Sequence, residues 1–138
     1  MPKCKVPVDW APRDYQLPLI QYLESGGKRA ICVWHRRAGK DLTSVNWIAV
    51  CSIMRPGLYW HLFPTYNQGR KIAWEGMTKT GRKFISHFPK ENIDAINNTE
   101  MRVTFKTGSI YQVVGSDNPD RLVGANPIGI ILSEYALQ

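Results

Sequence analysis

Cysteine and histidine are scarce in this chain, with three of each in 138 residues. The cysteines form no C-x-x-C pair and the histidines show no H-x-x-x-H spacing, so the sequence predicts neither a disulfide framework nor a zinc site. No apolar run approaches the roughly 18 to 20 residues that a membrane-spanning helix needs, and the N-terminal lysines are not followed by the apolar segment of a secretory signal. We therefore expect a cytoplasmic protein with no membrane partner.

Acidic residues are also scarce, above all in the middle of the chain. The whole sequence has 18 Lys and Arg against 11 Asp and Glu, a formal net charge of +7. Between Lys28 and Lys90 there are twelve basic residues and only two acids, Asp41 and Glu75. This asymmetry indicates a polyanionic partner, either nucleotide phosphates or a nucleic-acid backbone, although a solvated basic face is the plainer alternative.

The spacing of apolar residues predicts an α/β fold. RAICVW, at residues 29–34, is a nearly continuous apolar run and predicts a strand buried on both faces of a parallel sheet. The other predicted elements are helices over 12–25 and 39–54, a strand over 58–63, an interrupted helix over 67–88, a hairpin of strands 101–105 and 109–114, and a last strand over 128–132.

The segment WHRRAGKD, residues 34–41, lies between the predicted buried strand and the next helix, where a phosphate-binding loop belongs. Gly39 would let the backbone approach the phosphates, and Lys40 would reach the β- and γ-phosphates. The alternative is a helix N-terminus with an ordinary basic first turn. That alternative is disfavoured because Arg36, Arg37 and Lys40 would oppose the helix dipole unless an anion lies there.

A second candidate site follows the last predicted strand. In P-loop enzymes a buried strand ends in acidic residues that hold Mg²⁺ and activate the attacking water. Here the apolar strand ends in Ser133 and Glu134, which makes Glu134 the candidate water-activating base. A strand that ends in Ser-Glu by chance is the competing interpretation.

Four motifs in this order resemble the N-terminal ATPase region of bacteriophage terminase large subunits: WHRRAGKD, FPTYNQGRK, GSDNPDRLVG and IILSEYA. The resemblance covers nearly the whole chain. It implies a partial RecA-like P-loop fold with a mostly parallel central sheet flanked by helices. It also implies an ATPase that needs ATP and Mg²⁺ and that powers the packaging of double-stranded DNA. It also implies a small terminase subunit and a portal protein as partners, and a homo-oligomeric ring when full length.

The resemblance assigns roles to particular residues. Lys40 matches the Walker A lysine, and Arg36, with Arg37 beside it, matches an arginine used on the γ-phosphate. Tyr15 and Gln16 resemble an adenine-recognition motif, since glutamine can hydrogen-bond adenine and tyrosine can stack on it; read alone, Tyr15 is a core aromatic. The remaining residues assigned to the nucleotide-binding loop are Ala38, Gly39, Asp41 and Leu42.

Two departures from the family pattern form a pair. Asp41 replaces the usual P-loop Ser/Thr, and Ser133 replaces the usual Walker B aspartate. We interpret them as one exchange that leaves Mg²⁺ with the same oxygen ligands, from Asp41 and Ser133.

The sequence also ends just after Walker B, so we expect an approach segment over 1–27 and a partial ATPase domain over 28–138, without the nuclease domain. Two alternatives stay open. One is a catalytically inactive remnant that keeps fold and phosphate affinity, and the other is a fragment of a superfamily-2 helicase-like ATPase.

Overall fold

The computed structural model describes residues 11–32, 39–77, 81–117 and 124–133. Its helices are α1 (Leu17–Glu24), α2 (Lys40–Met54) and α3 (Tyr66–Gly69), the last continued by a π-helical turn, Arg70–Trp74. Two short 3₁₀ turns follow at Phe84–His87 and Lys90–Asn92. The strands are β1 (Leu58–Phe63), β2 (Ile93–Asn97), β3 (Arg102–Phe105), β4 (Ile110–Gly115) and β5 (Gly129–Leu132).

The five strands form one mixed sheet in the order β2-β3-β4-β1-β5. Strand β1 lies between β4 and β5 and pairs with both in parallel, whereas β3 pairs antiparallel with β2 and β4. The α/β class and the parallel centre of the sheet are therefore as predicted. None of the helices in the described ranges has the length and apolar character that crossing a membrane requires.

The core lies between one face of the sheet and the helices. Helix α2 contributes Val45, Ile48 and Ala49, which recur at helical spacing, and the sheet contributes buried aromatic residues such as Phe63 and Tyr111. On the opposite face of the sheet the side chains of β5 are partly exposed, including Ile130 and Leu132. Their neighbour Ile131 points the other way and packs against the core, as the alternation of a strand requires.

Most predicted elements are confirmed. Helix α2 and strand β1 match the predicted bounds closely, and the predicted hairpin is β3 and β4, joined by a turn in which Gly108 has φ +92°. The predicted helix over 12–25 is shorter and begins at Leu17. In place of the interrupted helix predicted over 67–88, the structure has helix α3 with its π-helical continuation, which ends at Trp74, and the 3₁₀ turn Phe84–His87. Strand β2 was not predicted, because IDAIN is a short segment with few apolar residues, and its side chains are largely exposed in the fold.

The predicted buried strand over 29–34 is wrong for the residues that the structure describes. Residues 29–32 belong to no strand, and the side chain of Ile31 is 88% exposed. The physical reason lies in the sheet. Both sides of the central strand β1 are occupied by β4 and β5, so this segment could join only beyond an outer strand, where a side chain such as Ile130 of β5 is half-exposed and burial on both faces is not available. Residues 33 and 34 lie outside the described ranges.

Candidate functional site

Two residues that the sequence assigned to one metal site meet at the carboxyl edge of the parallel strands. Ser133 Oγ donates a hydrogen bond to Asp41 Oδ1 at 2.8 Å, although the two residues are 92 positions apart. Asp41 is in the first turn of α2, and Ser133 directly follows β5, where its backbone N–H continues the ladder by bonding to the Leu62 carbonyl at 2.9 Å. The fold therefore places the carboxylate and the hydroxyl side by side.

The position of this contact is one where α/β proteins bind ligands. The chain passes from β1 to β4 on one side of it and then returns to β5 on the other side, so the strand order reverses between β1 and β5. In open α/β sheets, ligands bind in the crevice outside the carboxyl ends of the strands at such a reversal. Asp41 and Ser133 lie at this reversal, at the carboxyl ends of the strands.

Sequence reasoning missed a third member of the site, His61 in β1. Its Nε2 lies 3.0 Å from Asp41 Oδ1, and its Nδ1 lies 2.8 Å from the hydroxyl of Tyr111 in β4. The histidine side chain is fully buried, whereas that of Asp41 is 24% exposed. The signal in the sequence was a lone histidine inside the apolar run LYWHLF, where a buried polar side chain needs a partner.

The surroundings of Asp41 favour its ionised form. Burial raises the pKa of the Asp41 carboxyl, but the hydrogen bonds from His61 and Ser133 and the nearby positive charge, including that of Lys40, outweigh burial and hold the pKa below its usual value of 3.8. An acid in the first turn of a helix is also stabilised by the helix dipole. Asp41 is thus a carboxylate at neutral pH, as a cation ligand must be.

Gly39 caps the start of α2 in a conformation that favours glycine, with φ +79°. A Cβ at this position would also lie 2.9 Å from Nε2 of Gln16. The side chain of Gln16 is therefore packed against the residue that precedes Lys40. Gln16 is 3% exposed, and its Oε1 accepts a hydrogen bond from the Arg13 backbone N–H at 2.9 Å.

The other predicted site residues are distributed as follows. Lys40 is the first residue of α2 and is half-buried, as is Leu42. Tyr15 is 45% exposed, so its interpretation as a core aromatic is wrong. Four predicted residues lie outside the described ranges: Arg36, Arg37, Ala38 and Glu134.

The loop after β1, which carries the FPTYNQGRK motif, is held to the rest of the fold by hydrogen bonds. Thr65 caps the following turn by accepting a hydrogen bond from the Gln68 backbone N–H at 3.1 Å. Arg70 donates to the Tyr66 hydroxyl at 2.6 Å and to the Asn98 carbonyl at 3.1 Å. At least one residue of the basic middle segment therefore has an internal structural partner.

A cleft of about 660 Å³ lies elsewhere, on the opposite face of the sheet. The described residues that line it include Trp60, Arg102 and Gln112, and none of the predicted site residues is among them. The acids Glu100 and Asp117 also line it, but the cleft lies away from the start of α2 and from the carboxyl end of β5. We therefore place the candidate site at the carboxyl edge and not in this cleft.

Within the described ranges, no group of three or more His, Cys, Asp and Glu side chains could hold a metal ion. A cation at Asp41 would therefore need ligands from a bound molecule as well. Comparison of the chain with models of protein families, with curated proteins and with solved structures gave no match.

Proposed function

We propose that the chain is the ATP-binding and ATP-hydrolysing region of a phage terminase large subunit, with a RecA-like P-loop fold. The contact between Asp41 and Ser133 carries the proposal. The motif interpretation assigned both residues to one Mg²⁺ shell, and the 2.8 Å distance between their oxygens supports it, because ligands of one ion must lie close together. Their place beside the strand-order reversal supports a ligand site in the adjoining crevice.

Each residue of the proposed site has a role in nucleotide chemistry. Lys40 at the start of α2 binds the β- and γ-phosphates, together with the free N–H groups of the helix N-terminus. Arg36 and Arg37 stabilise charge on the γ-phosphate. Glu134, next to Ser133 in sequence, orients the attacking water and accepts its proton.

The residues at the edge of the sheet fit Mg²⁺. This ion is usually held by one or two carboxylates, water and the substrate's own phosphate oxygens, so the absence of a three-residue cluster in the described ranges is no obstacle. Asp41 supplies an ionised carboxylate and Ser133 a hydroxyl oxygen. When bound, the ion would neutralise charge on the phosphate oxygens.

The approach segment would contribute to binding the base. The ring of Tyr15 is 45% exposed and offers surface for stacking on adenine. Gln16 is almost fully buried and packs against Gly39, so its side chain would position the start of α2 as well as hydrogen-bond the adenine.

The proposed biological role follows from the resemblance and from the basic middle segment. Hydrolysis would power movement of double-stranded DNA into a procapsid in the host cytoplasm. The proposed partners are DNA, the small terminase subunit and the portal protein, with several copies forming a ring. Exposed basic residues such as Lys71 and Lys83 supply charge that a DNA backbone would attract.

Calorimetric titration with ATP and Mg²⁺ tests the nucleotide site. We expect micromolar binding by the wild type, and loss of that binding in Lys40→Ala. Lys90→Ala is the matched control, because Lys90 is an exposed lysine next to β2 at the other edge of the sheet. Equal binding by wild type and Lys40→Ala, or no binding by either, would contradict the proposal.

An exchange of side chains tests the metal shell directly. Asp41→Ser and Ser133→Asp should each impair phosphate release from ATP, because each leaves the shell with two hydroxyls or two carboxylates. The double variant restores one of each at the same edge of the sheet and should recover much of the activity. Additive damage in the double variant would refute the exchange.

A second candidate function is nucleotide binding without turnover, as in a catalytically inactive remnant. The observation that favours it is that residues 29–32 belong to no strand and that residues 29–31 are exposed, since a phosphate-binding loop is ordinarily anchored by a strand of the sheet. Micromolar ATP binding that depends on Lys40, with no phosphate release under any Mg²⁺ concentration, would favour this candidate over the motor ATPase.

A further inference from the structure

We propose that His61 is a positioning residue that holds the Asp41 carboxylate in its metal-binding orientation, and that Tyr111 holds the imidazole in turn. This inference rests on the proposed function, since it concerns the same Mg²⁺ shell. It names a residue on the central strand that no motif in the sequence singles out.

The Asp41 carboxylate fixes the direction of its bond with His61. A carboxylate can only accept, so His61 Nε2 carries the proton that it donates to Asp41 Oδ1 at 3.0 Å. In the proposed Nε2–H tautomer, Nδ1 accepts the Tyr111 hydroxyl proton across 2.8 Å. His61 is fully buried and Tyr111 is 1% exposed, so water does not compete for the bond between them.

This arrangement ties the beginning of α2 to the centre of the sheet. Strand β1 is hydrogen-bonded to a neighbour on each side, which makes His61 a rigid point of attachment. Both donors to Asp41, His61 and Ser133, bond to the same oxygen, Oδ1. Held through Oδ1, the carboxylate presents its other oxygen, Oδ2, as the candidate ligand for a cation.

The expected effect is on the metal requirement. Groups that hydrogen-bond to a metal-binding carboxylate orient it, and their removal typically lowers metal affinity or activity by about 10- to 100-fold. A histidine that merely filled a buried space would instead affect folding without changing the concentration of Mg²⁺ that is needed.

Two polar variants separate these possibilities. His61→Gln places an amide N–H close to the position of Nε2, so it keeps the donor to Asp41 but loses the acceptor for Tyr111. His61→Asn reaches only the position of Nδ1, so it keeps the contact with Tyr111 but loses the donor to Asp41. Both replace the ring by a buried amide and disturb packing to a similar degree.

The measurement is the Mg²⁺ concentration that gives half-maximal ATP binding and half-maximal phosphate release, with melting temperatures recorded alongside. We expect His61→Asn to raise this concentration about 10- to 100-fold, and His61→Gln to stay near the wild type. Equal Mg²⁺ requirements in the two variants would overturn the positioning role. No Mg²⁺-dependent ATP binding by the wild type would instead overturn the proposed function.

A second readout needs no nucleotide. Long-range ¹H–¹⁵N correlation spectra of the imidazoles report which ring nitrogen carries the proton, and the His61→Gln variant assigns the His61 signals. A single Nε2–H tautomer in the wild type, lost on Asp41→Leu, is the expected result. An Nδ1–H ring or a mixture of tautomers in the wild type would overturn the inference, even if either polar variant failed to fold.

Discussion

Acid should destabilise the fold through His87, a buried histidine at the end of the 3₁₀ turn that packs against α2. Its side chain is 2% exposed, and its Nδ1 lies 3.3 Å from Nδ2 of Asn46. Asn46 Nδ2 also donates to the Leu42 carbonyl at 2.9 Å, which orients the amide so that it donates to His87. Nδ1 is therefore an acceptor, and protonating it would break this bond.

The pKa of His87 reflects that environment. Burial, and then the charge of Arg82, lower the pKa from 6.5 to about 4. The folded protein thus disfavours the protonated ring. At pH values above 6.5 the His87 ring is neutral in both the folded and the unfolded state, and its contribution to the free energy of unfolding is fully present. As the pH falls below 6.5, the unfolded chain gains a proton that the folded chain does not, so the free energy of unfolding declines until the pH reaches about 4.

The size of the effect follows from the same values. A pKa lowered from 6.5 to about 4 corresponds to an upper bound of about 3 kcal/mol. For a domain of this length that is a fall in Tm of up to roughly 10 °C between pH 7.5 and pH 4.5. Below pH 3.8 protonation of Asp41, whose pKa is also lowered, should cause a further loss.

Thermal unfolding followed by circular dichroism across this pH range, for wild type and His87→Gln, measures the contribution. Glutamine does not titrate, so the variant should be less stable at pH 7.5 but should show a flatter dependence on pH. The difference between the two curves isolates His87 from the other histidines. Parallel curves for the two proteins would refute the reasoning.

Two further substitutions probe packing. Gly39→Ala should lower the free energy of unfolding by about 1–3 kcal/mol and should also lower the ATP affinity. The reason is that alanine is strained at φ +79° and that its Cβ would meet the Gln16 amide at 2.9 Å. Gly108→Ala, at φ +92° with nothing within 4 Å of its Cβ, measures the backbone strain alone by urea unfolding. Phe88→Ala should lower the free energy of unfolding by about 3–5 kcal/mol in the same assay, because Phe88 is fully buried. Ile96→Ala should lower it much less, because the Ile96 side chain is 46% exposed. Similar losses for the two variants would contradict the assigned core.

Local patterns in the sequence predicted much of the fold. Helix α2 and strand β1 have periodicities of their own, so their bounds could be predicted without knowing their neighbours. The hairpin of β3 and β4 could be predicted because its turn carries Gly108 between two short apolar segments. Strand β2 could not, since it has little buried surface and forms by pairing with β3.

The chemistry of the site divides in the same way. The sequence by itself determined that residues 34–41 resemble a phosphate-binding loop and that Asp41 and Ser133 depart together from the usual pattern. Only the tertiary structure decided that the two side chains meet at 2.8 Å and that His61 joins them, because strand order and register are set by packing across the whole sheet. The same packing explains the segment at 29–32, since the positions beside β1 at the centre of the sheet are taken by β4 and β5, strands that lie much later in the chain, and only outer positions with less buried surface are left.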